Sequence, residues 1–381
     1  MGRPMSVLGV GIIGCGNISA AYLRLAPMFG GFAIRAVADQ NPEAAAVRAA
    51  EFNVSALSVD QLLAQDDIAV VVNLTVPSAH FEVTRRILEA GKHAYSEKPL
   101  VLSMDEGQVL RDLSAQKGLR VGSAPDTFLG GTHQHARAMI DDGGIGRVVS
   151  GTTHVMSAGM EDWHPNPDFF FQPGAGPVLD IGPYYITNLV QLLGPVKRLC
   201  ALSSMASETR TITSAPRRGE VIPVATPTTL HAVLEFASGA LITLGASWDV
   251  KAHRHAPMEL YGTEGTLFLP DPNFFGGALE IATAEGDVST VKPWAHPFGV
   301  ANEGGAGGRA NYRTAGLADM VDAVQAGRPH RCSLDLALHV VEVMTSILTS
   351  GESGVFIDMK TSCTRPAALT PDEAQTLLGA R

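Results

Sequence analysis

Apolar residues in the first third of the chain gather into short, partly β-branched runs, each followed by an amphipathic, Ala-rich stretch. Val10–Ile13, Ala33–Ala38, Ala69–Leu74 and His93–Ser96 read as strands, and the near-continuous apolar character of the third predicts burial on both faces. Helices are expected from Asn17, over Glu43–Phe52, over Ala79–Ala90 and from about Ser103 to Lys117. Asn41 followed by Pro42 supplies an N-cap and a first-turn proline, and Gly91 and Gly118 supply C-terminal stops. This alternation predicts parallel strands joined by helical crossovers. From Arg147 the pattern changes. Thr229–Phe236 and Ala240–Trp248 alternate apolar and polar residues around Ala237-Ser238-Gly239, the pattern of a hairpin in an antiparallel sheet with one exposed face. Helices are expected over Asp180–Leu193, Asn311–Gln325 and Ser333–Ser350, the last two covering a sheet face or returning to the first domain. Gly299–Arg309 reads as a Gly-rich surface loop, with a lid or subunit-contact arm as the alternative.

Composition narrows the class. At 381 residues the chain exceeds the roughly 250–300 at which single cores stop growing, so two domains are expected. Hydrophobic residues at 45% against 17% charged supply ample core. A net charge of −10 without any Lys/Arg cluster repels nucleic acid and anionic membrane alike. The longest apolar run, Ile68–Val76, is far shorter than the ~18 residues of a membrane span. Met1–Ser6 lacks the apolar centre of a signal peptide, which leads to a cytoplasmic expectation. Cys15, Cys200, Cys332 and Cys363 are scattered without metal or disulfide spacing, and His253 and His255 have no obvious acidic co-ligand, so no metal is expected.

Candidate chemistry begins at Gly14-Cys15-Gly16-Asn17-Ile18-Ser19, a glycine pair between strand and helix, with Asp39 closing the next strand. Gly14 permits a tight turn, and Gly16 lets the backbone approach a pyrophosphate lying on the helix N-terminus. Asp39, roughly 20 positions on, suits a ribose diol. Ser19 stands in the third glycine slot. Glu97-Lys98-Pro99 follows the strand His93–Ser96, which puts Lys98 at the edge of the sheet where ligands bind. Asp180 and Tyr184, four apart on one expected helix, share a face. Taken singly, Lys98 reads equally as a solvated lysine, Asp180 as an N-cap and Tyr184 as packing. Removing a hydride from an alcohol carbon requires a proton acceptor and a cation at the oxygen, and Lys98, Asp180 and Tyr184 together supply that set.

With Asn73-Leu74-Thr75-Val76-Pro77 and His80, Ala90-Gly91-Lys92-His93, Tyr261-Gly262-Thr263-Glu264-Gly265 and Ala337-Leu338-His339, this ordered series resembles the Gfo/Idh/MocA oxidoreductase family. The resemblance implies an α/β chain: an N-terminal Rossmann domain, taken over 1–125, and a C-terminal α/β domain, taken over 126–381, with an open, mainly antiparallel sheet used in oligomer contacts. It implies NAD(P)-dependent oxidation or reduction of a secondary alcohol in a sugar, inositol or related polyol, in a homodimer or homotetramer; Asp39, with no arginine in the following Gln40-Asn41, makes NAD the expected cofactor. Carried over by position, Gly14, Gly16, Asn17 and Ile18 hold the pyrophosphate and Asp39 the ribose. Thr75, Pro77 and His80 line the cofactor cleft, Glu97 and Lys98 lie by the nicotinamide, and Lys98, Asp180 and Tyr184 are catalytic. Tyr184 fills a slot that is histidine in many members and tyrosine in others. Pro125-Asp126-Thr127-Phe128 carries no arginine after the last Rossmann strand, so a neutral substrate is expected, bound by Asp126, Trp163, His164 and the catalytic set. His154 reads as a sheet histidine. A reductase, a closed-cycle enzyme that keeps its nucleotide, and a non-catalytic nucleotide sensor are the alternatives.

Overall fold

Six parallel strands form the first sheet in the order β3-β2-β1-β4-β5-β6: β1 (Leu8–Ile13), β2 (Phe32–Ala38), β3 (Ser55–Leu57), β4 (Val70–Asn73), β5 (His93–Ser96) and β6 (Val121–Ser123). The computed structural model describes residues 7–284, 286–302, 304–305 and 309–379. Met1–Ser6, and positions 303 and 306–308 of the Gly-rich segment, lie outside the described residues. The crossover helices are α1 (Asn17–Leu25), α2 (Pro42–Phe52), α3 (Val59–Leu63), α4 (Pro77–Glu89) and α5 (Met104–Lys117). Local chemistry sets their limits. Asn41 Oδ1 accepts from Glu43 N at 3.0 Å to open α2, and Ser103 and Glu106 form a capping box at the start of α5. Gly118, in the left-handed region at φ +64, ends α5. As the apolar run foretold, every residue of β4 is buried.

The second domain follows α6 (Gly131–Asp141) with β7 (Val148–Met156), α7 (Pro177–Asp180) and α8 (Gly182–Leu193). Next come β8 (Val196–Ser204), β9 (Thr209–Thr211), β10 (Val221–Pro223), β11 (Thr229–Phe236), β12 (Leu241–Ser247), β13 (Met258–Gly262), β14 (Thr266–Leu269), β15 (Glu280–Ala282) and β16 (Val288–Thr290). The chain closes with α9 (Ala315–Ala326), α10 (Leu334–Ser353), β17 (Ile357–Asp358) and α11 (Pro371–Leu377). Nine strands form its main sheet, ordered β16-β15-β14-β13-β7-β12-β11-β8-β17. Only the β7–β12 pair runs parallel within it. One face packs on α8 and α10, burying Leu230, Ala232 and Leu234 of β11, while Val233 and Leu241 stand exposed on the other face.

Both anticipated uses of the late helices occur. α10 covers β8 and β11. By length and composition it is apolar enough to cross a membrane, but Leu338, Val341, Val343, Met344 and Ile347 are all buried. α9 and α11 return to the first domain: α9 packs on β6, Ser123 N donates to Cys332 O at 3.1 Å in the segment after α9, and Gly30 N donates to Leu377 O of α11 at 2.9 Å. Most helix limits shift by one to three residues, as α4 does in starting at Pro77, but two departures matter at the site. α9 starts at Ala315 rather than Asn311, because Thr314 takes φ +101, outside the helical region. Ile181 separates α7 from α8, so Asp180 and Tyr184 do not share one unbroken helix.

Candidate active site

The glycine turn has the shape its sequence requires. Gly14 sits at φ +105, and a Cβ there would lie 2.5 Å from the Leu74 carbonyl carbon. At Gly16 a Cβ would meet nothing within 4 Å, so the backbone opens onto free space. Gly16 is also the N-cap of α1, with no side-chain cap, which leaves first-turn N–H groups for an anion. Ser19, fully buried, donates from Oγ to Gly16 O at 2.6 Å and so fits the third glycine slot. Asp39 stands at the rim with both oxygens engaged, Oδ2 by Cys15 N at 2.7 Å and Oδ1 by Asn41 N at 2.8 Å. The cradle, the uncapped N-terminus and the oriented acid fit a dinucleotide, with Asn17 and Ile18 in the first turn. Arg48 of α2, which sequence reading overlooked, reaches the same rim: Nη2 donates to Gly16 O at 3.3 Å and Nη1 pairs with Glu51.

The exits of β4 and β5 are tied together below the cleft. Asn73 Oδ1 accepts from Thr75 Oγ1 at 2.7 Å, while its Nδ2 donates to His80 O and Thr84 Oγ1. His80 is 1% exposed, with Nδ1 2.6 Å from Pro99 O and Nε2 2.9 Å from Thr75 O. Those contacts make His80 a brace joining the Thr75 and Pro99 turns, while Pro77 lies exposed at the start of α4. Glu97 accepts from Tyr22 Oη at 3.0 Å and from Lys98 N at 3.0 Å.

Lys98 crosses from the first domain to the second. Its Nζ donates to Asp180 O at 2.5 Å and Oδ1 at 2.9 Å, and lies 5.4 Å from the centre of the Tyr184 ring. Although the helix breaks at Ile181, Asp180 and Tyr184 still meet on one ammonium. Burial disfavours the Lys98 charge, but Tyr184, then Asp180, outweigh it and raise its pKa. Arg313, which no sequence motif singled out, approaches Tyr184 as well, with Nη2 3.5 Å from the phenolic oxygen. Asp126 is 3% exposed, and its Oδ2 accepts from Thr314 N and Gly316 N at 3.0 Å each. In the structure this carboxylate anchors the turn leading into α9.

Residues 8–124 match the model of an oxidoreductase family with an NAD-binding Rossmann fold, and residues 133–268 match the GFO/IDH/MocA C-terminal domain. The chain belongs to the Gfo/Idh/MocA family. Its N-terminal domain is therefore an NAD-binding domain of that oxidoreductase family. Among other members, levoglucosan dehydrogenase of Pseudarthrobacter phenanthrenivorans is 27% identical over 77% of this chain and 83% of its own length. A dTDP-3,4-didehydro-2,6-dideoxy-alpha-D-glucose 3-reductase of Saccharopolyspora spinosa is 29% identical over 68% and 74%. Two Schizosaccharomyces pombe oxidoreductases, 32% and 30% identical, match over 37% of their length, so the chain spans little more than a third of these relatives. The structure of levoglucosan dehydrogenase with NADH superposes with a TM-score of 0.79 at 25% identity, covering 93% of this chain and 100% of that one.

Beside the Lys98, Asp180 and Tyr184 cluster of this Gfo/Idh/MocA protein lies a cavity of about 430 Å³, lined in part by Trp163, Tyr185, His154, His253, Asp271 and Asn273. Trp163 is 64% exposed and its indole packs edge-on against His164, 5.4 Å between ring centres. His164 also packs on Phe169 and Phe170, and its Nδ1 accepts from Asn166 N at 3.1 Å. The rings of His253, His255 and His154 stack in sequence, at 6.0 and 3.8 Å. Among the described residues no three or more His, Cys, Asp or Glu gather as a metal site. Asp271 accepts a hydrogen bond from Tyr185 and is raised in pKa chiefly by burial.

Proposed function

We propose that this protein oxidises a secondary alcohol of a neutral, hydroxyl-rich ring, a sugar, inositol or related polyol, with NAD as hydride acceptor. The observation that carries this reading is the Lys98 ammonium held on Asp180 beside the Tyr184 phenol, where the parallel sheet meets the second domain. Oxidised nicotinamide, when bound, supplies the acceptor for the hydride. The protein's part is to hold the alcohol and manage its proton. Lys98 stabilises negative charge developing on the substrate oxygen, and Asp180 fixes the ammonium in place. Tyr184, 9% exposed, receives the hydroxyl proton as the C–H bond breaks and the carbonyl forms.

The neutral character of the ring rests on how the nearby cations are engaged. Lys98 is paired with Asp180, and Arg313 Nη2 donates to Asn273 Oδ1 at 2.9 Å as well as facing Tyr184. The cavity wall of Trp163, His253 and Asp271 offers an aromatic face and hydroxyl partners. A levoglucosan dehydrogenase among the relatives favours the same substrate class. The test is a screen of neutral sugars, inositols and polyols against their phosphates and uronic acids at fixed NAD, following cofactor absorbance. Neutral rings are expected to give the higher kcat/KM; consistently higher values for the anions would overturn the reading.

A further inference from the structure

Tyr184 Oη has one hydrogen-bond partner among the described residues, Arg313 Nη2 at 3.5 Å. The guanidinium carbon lies 5.9 Å from the tyrosine ring centre, so two cations, Arg313 and Lys98, flank one phenol. Arg313 is itself held. Its Nη2 donates to Asn273 Oδ1 at 2.9 Å and faces Asn273 O at 3.4 Å, and Asn273 N donates to Asp271 Oδ1 at 2.9 Å. Next to it, Thr314 occupies φ +101, a left-handed backbone that strains a non-glycine residue. Asp126 fastens that turn through the N–H groups of Thr314 and Gly316. A strained and doubly anchored turn thus sets where the guanidinium stands.

We propose that Arg313 is a positioning residue for the dehydrogenase reaction: it orients the Tyr184 ring and stabilises the phenolic oxygen in the deprotonated state that accepts the substrate's hydroxyl proton. This rests on the proposed role of Tyr184. In the balanced step, the alcohol O–H proton passes to the phenolate, the C–H hydrogen leaves with its electron pair as hydride, for which oxidised nicotinamide would be the acceptor, and the C=O bond forms. The phenol then returns its proton to solvent. Lys98 and Arg313 act on the phenol itself, and the charged and titratable groups around those two cations are Glu97 beyond β5, Asp180 at the end of α7, Asp126 beyond β6 and, beside Arg313, Tyr22 on α1. Burial works against the Arg313 charge, but Tyr184, Glu97 and Asp126 outweigh it and raise its pKa, so it stays cationic. Tyr22 is pushed well above its ordinary value by burial, and Asp126 titrates at about 6, so neither supplies an alkaline limb.

The experiment is the pH profile of alcohol oxidation for wild type, Arg313→Gln, Arg313→Lys, Asn273→Ala and Tyr184→Phe, with calorimetric NAD binding for each. Arg313→Gln is expected to lose roughly 10-fold or more in kcat near neutral pH and to recover at high pH, its half-maximal point displaced upward by about one unit or more. Arg313→Lys should restore the limb substantially, and Asn273→Ala should displace it part-way, with NAD affinity held within about threefold throughout. A pH-independent loss in Arg313→Gln, or an unmoved limb in both Arg313→Gln and Asn273→Ala, overturns the proposal. Should Arg313→Gln fail to fold, Arg313→Lys and Asn273→Ala decide it by the same displacement. If Tyr184→Phe keeps both rate and limb, the proton-accepting role of Tyr184 fails instead.

Discussion

Asp39 is the residue on which a preference for NAD over NADP is expected to rest, and its geometry adds to what its position in the chain suggests. With Oδ2 and Oδ1 held by Cys15 N and Asn41 N, the carboxylate is fixed at the rim where an adenosine ribose binds in this fold. From there a carboxylate would accept from ribose hydroxyls and repel a 2′-phosphate. The nearby Arg48 is engaged by Glu51 and Gly16 O, which leaves the acid dominant. NAD is therefore expected to exceed NADP in kcat/KM by at least about tenfold, or about 1.4 kcal/mol. Steady-state kinetics with both cofactors checks this, and equal efficiency with NADP contradicts it. Lys98, Asp180 and Tyr184 were legible in the sequence because short, ordered motifs surround them. Arg313 was not, since it follows a Gly-rich segment and its meaning comes from a contact 129 positions away.

At the scale of elements, strands and caps followed local chemistry closely: β5 spans His93–Ser96 and β11 spans Thr229–Phe236, as the alternation predicted. Departures cluster at the site. α9 begins late because residues 311–314 are used to present Arg313, and Ile181 interrupts the helix that carries Asp180 and Tyr184. Neither is visible to periodicity, because tertiary contacts override local preference there. Asp126 secures the first of these departures. Its carboxyl is raised to about 6, chiefly by burial, against an ordinary value of 3.8. Between those values the folded chain keeps a proton that the unfolded chain has lost. This group's stabilising contribution is thus full below about 3.8 and is lost as the pH rises through about 6. The difference amounts to about 3 kcal/mol at the upper end. Asp126→Asn keeps an acceptor for the Thr314 and Gly316 N–H groups without ionising. Its thermal midpoint is expected to gain on wild type between about pH 4 and about pH 7.5, and a pH-independent difference contradicts this.

Across the whole molecule, the site exists because two sheets of different grammar meet. The parallel sheet delivers Glu97 and Lys98 at its C-terminal edge, and the mixed sheet's α7 and α8 deliver Asp180 and Tyr184. The division into a crossover domain and a hairpin-rich domain was legible from the change of hydrophobic period. The return of α9 and α11 to the first domain was open in the sequence, because an amphipathic helix does not specify which surface covers it. The Lys98–Asp180 contact spans that junction, so Lys98→Ala probes the assembled centre while leaving the backbone dinucleotide cradle untouched. Turnover of the best neutral substrate and calorimetric NAD binding, measured together on wild type and Lys98→Ala, test the account most directly. A loss of about 10²- to 10⁴-fold in kcat is expected, with NAD affinity unchanged within about threefold. A variant that keeps more than about a tenth of wild-type turnover would contradict it.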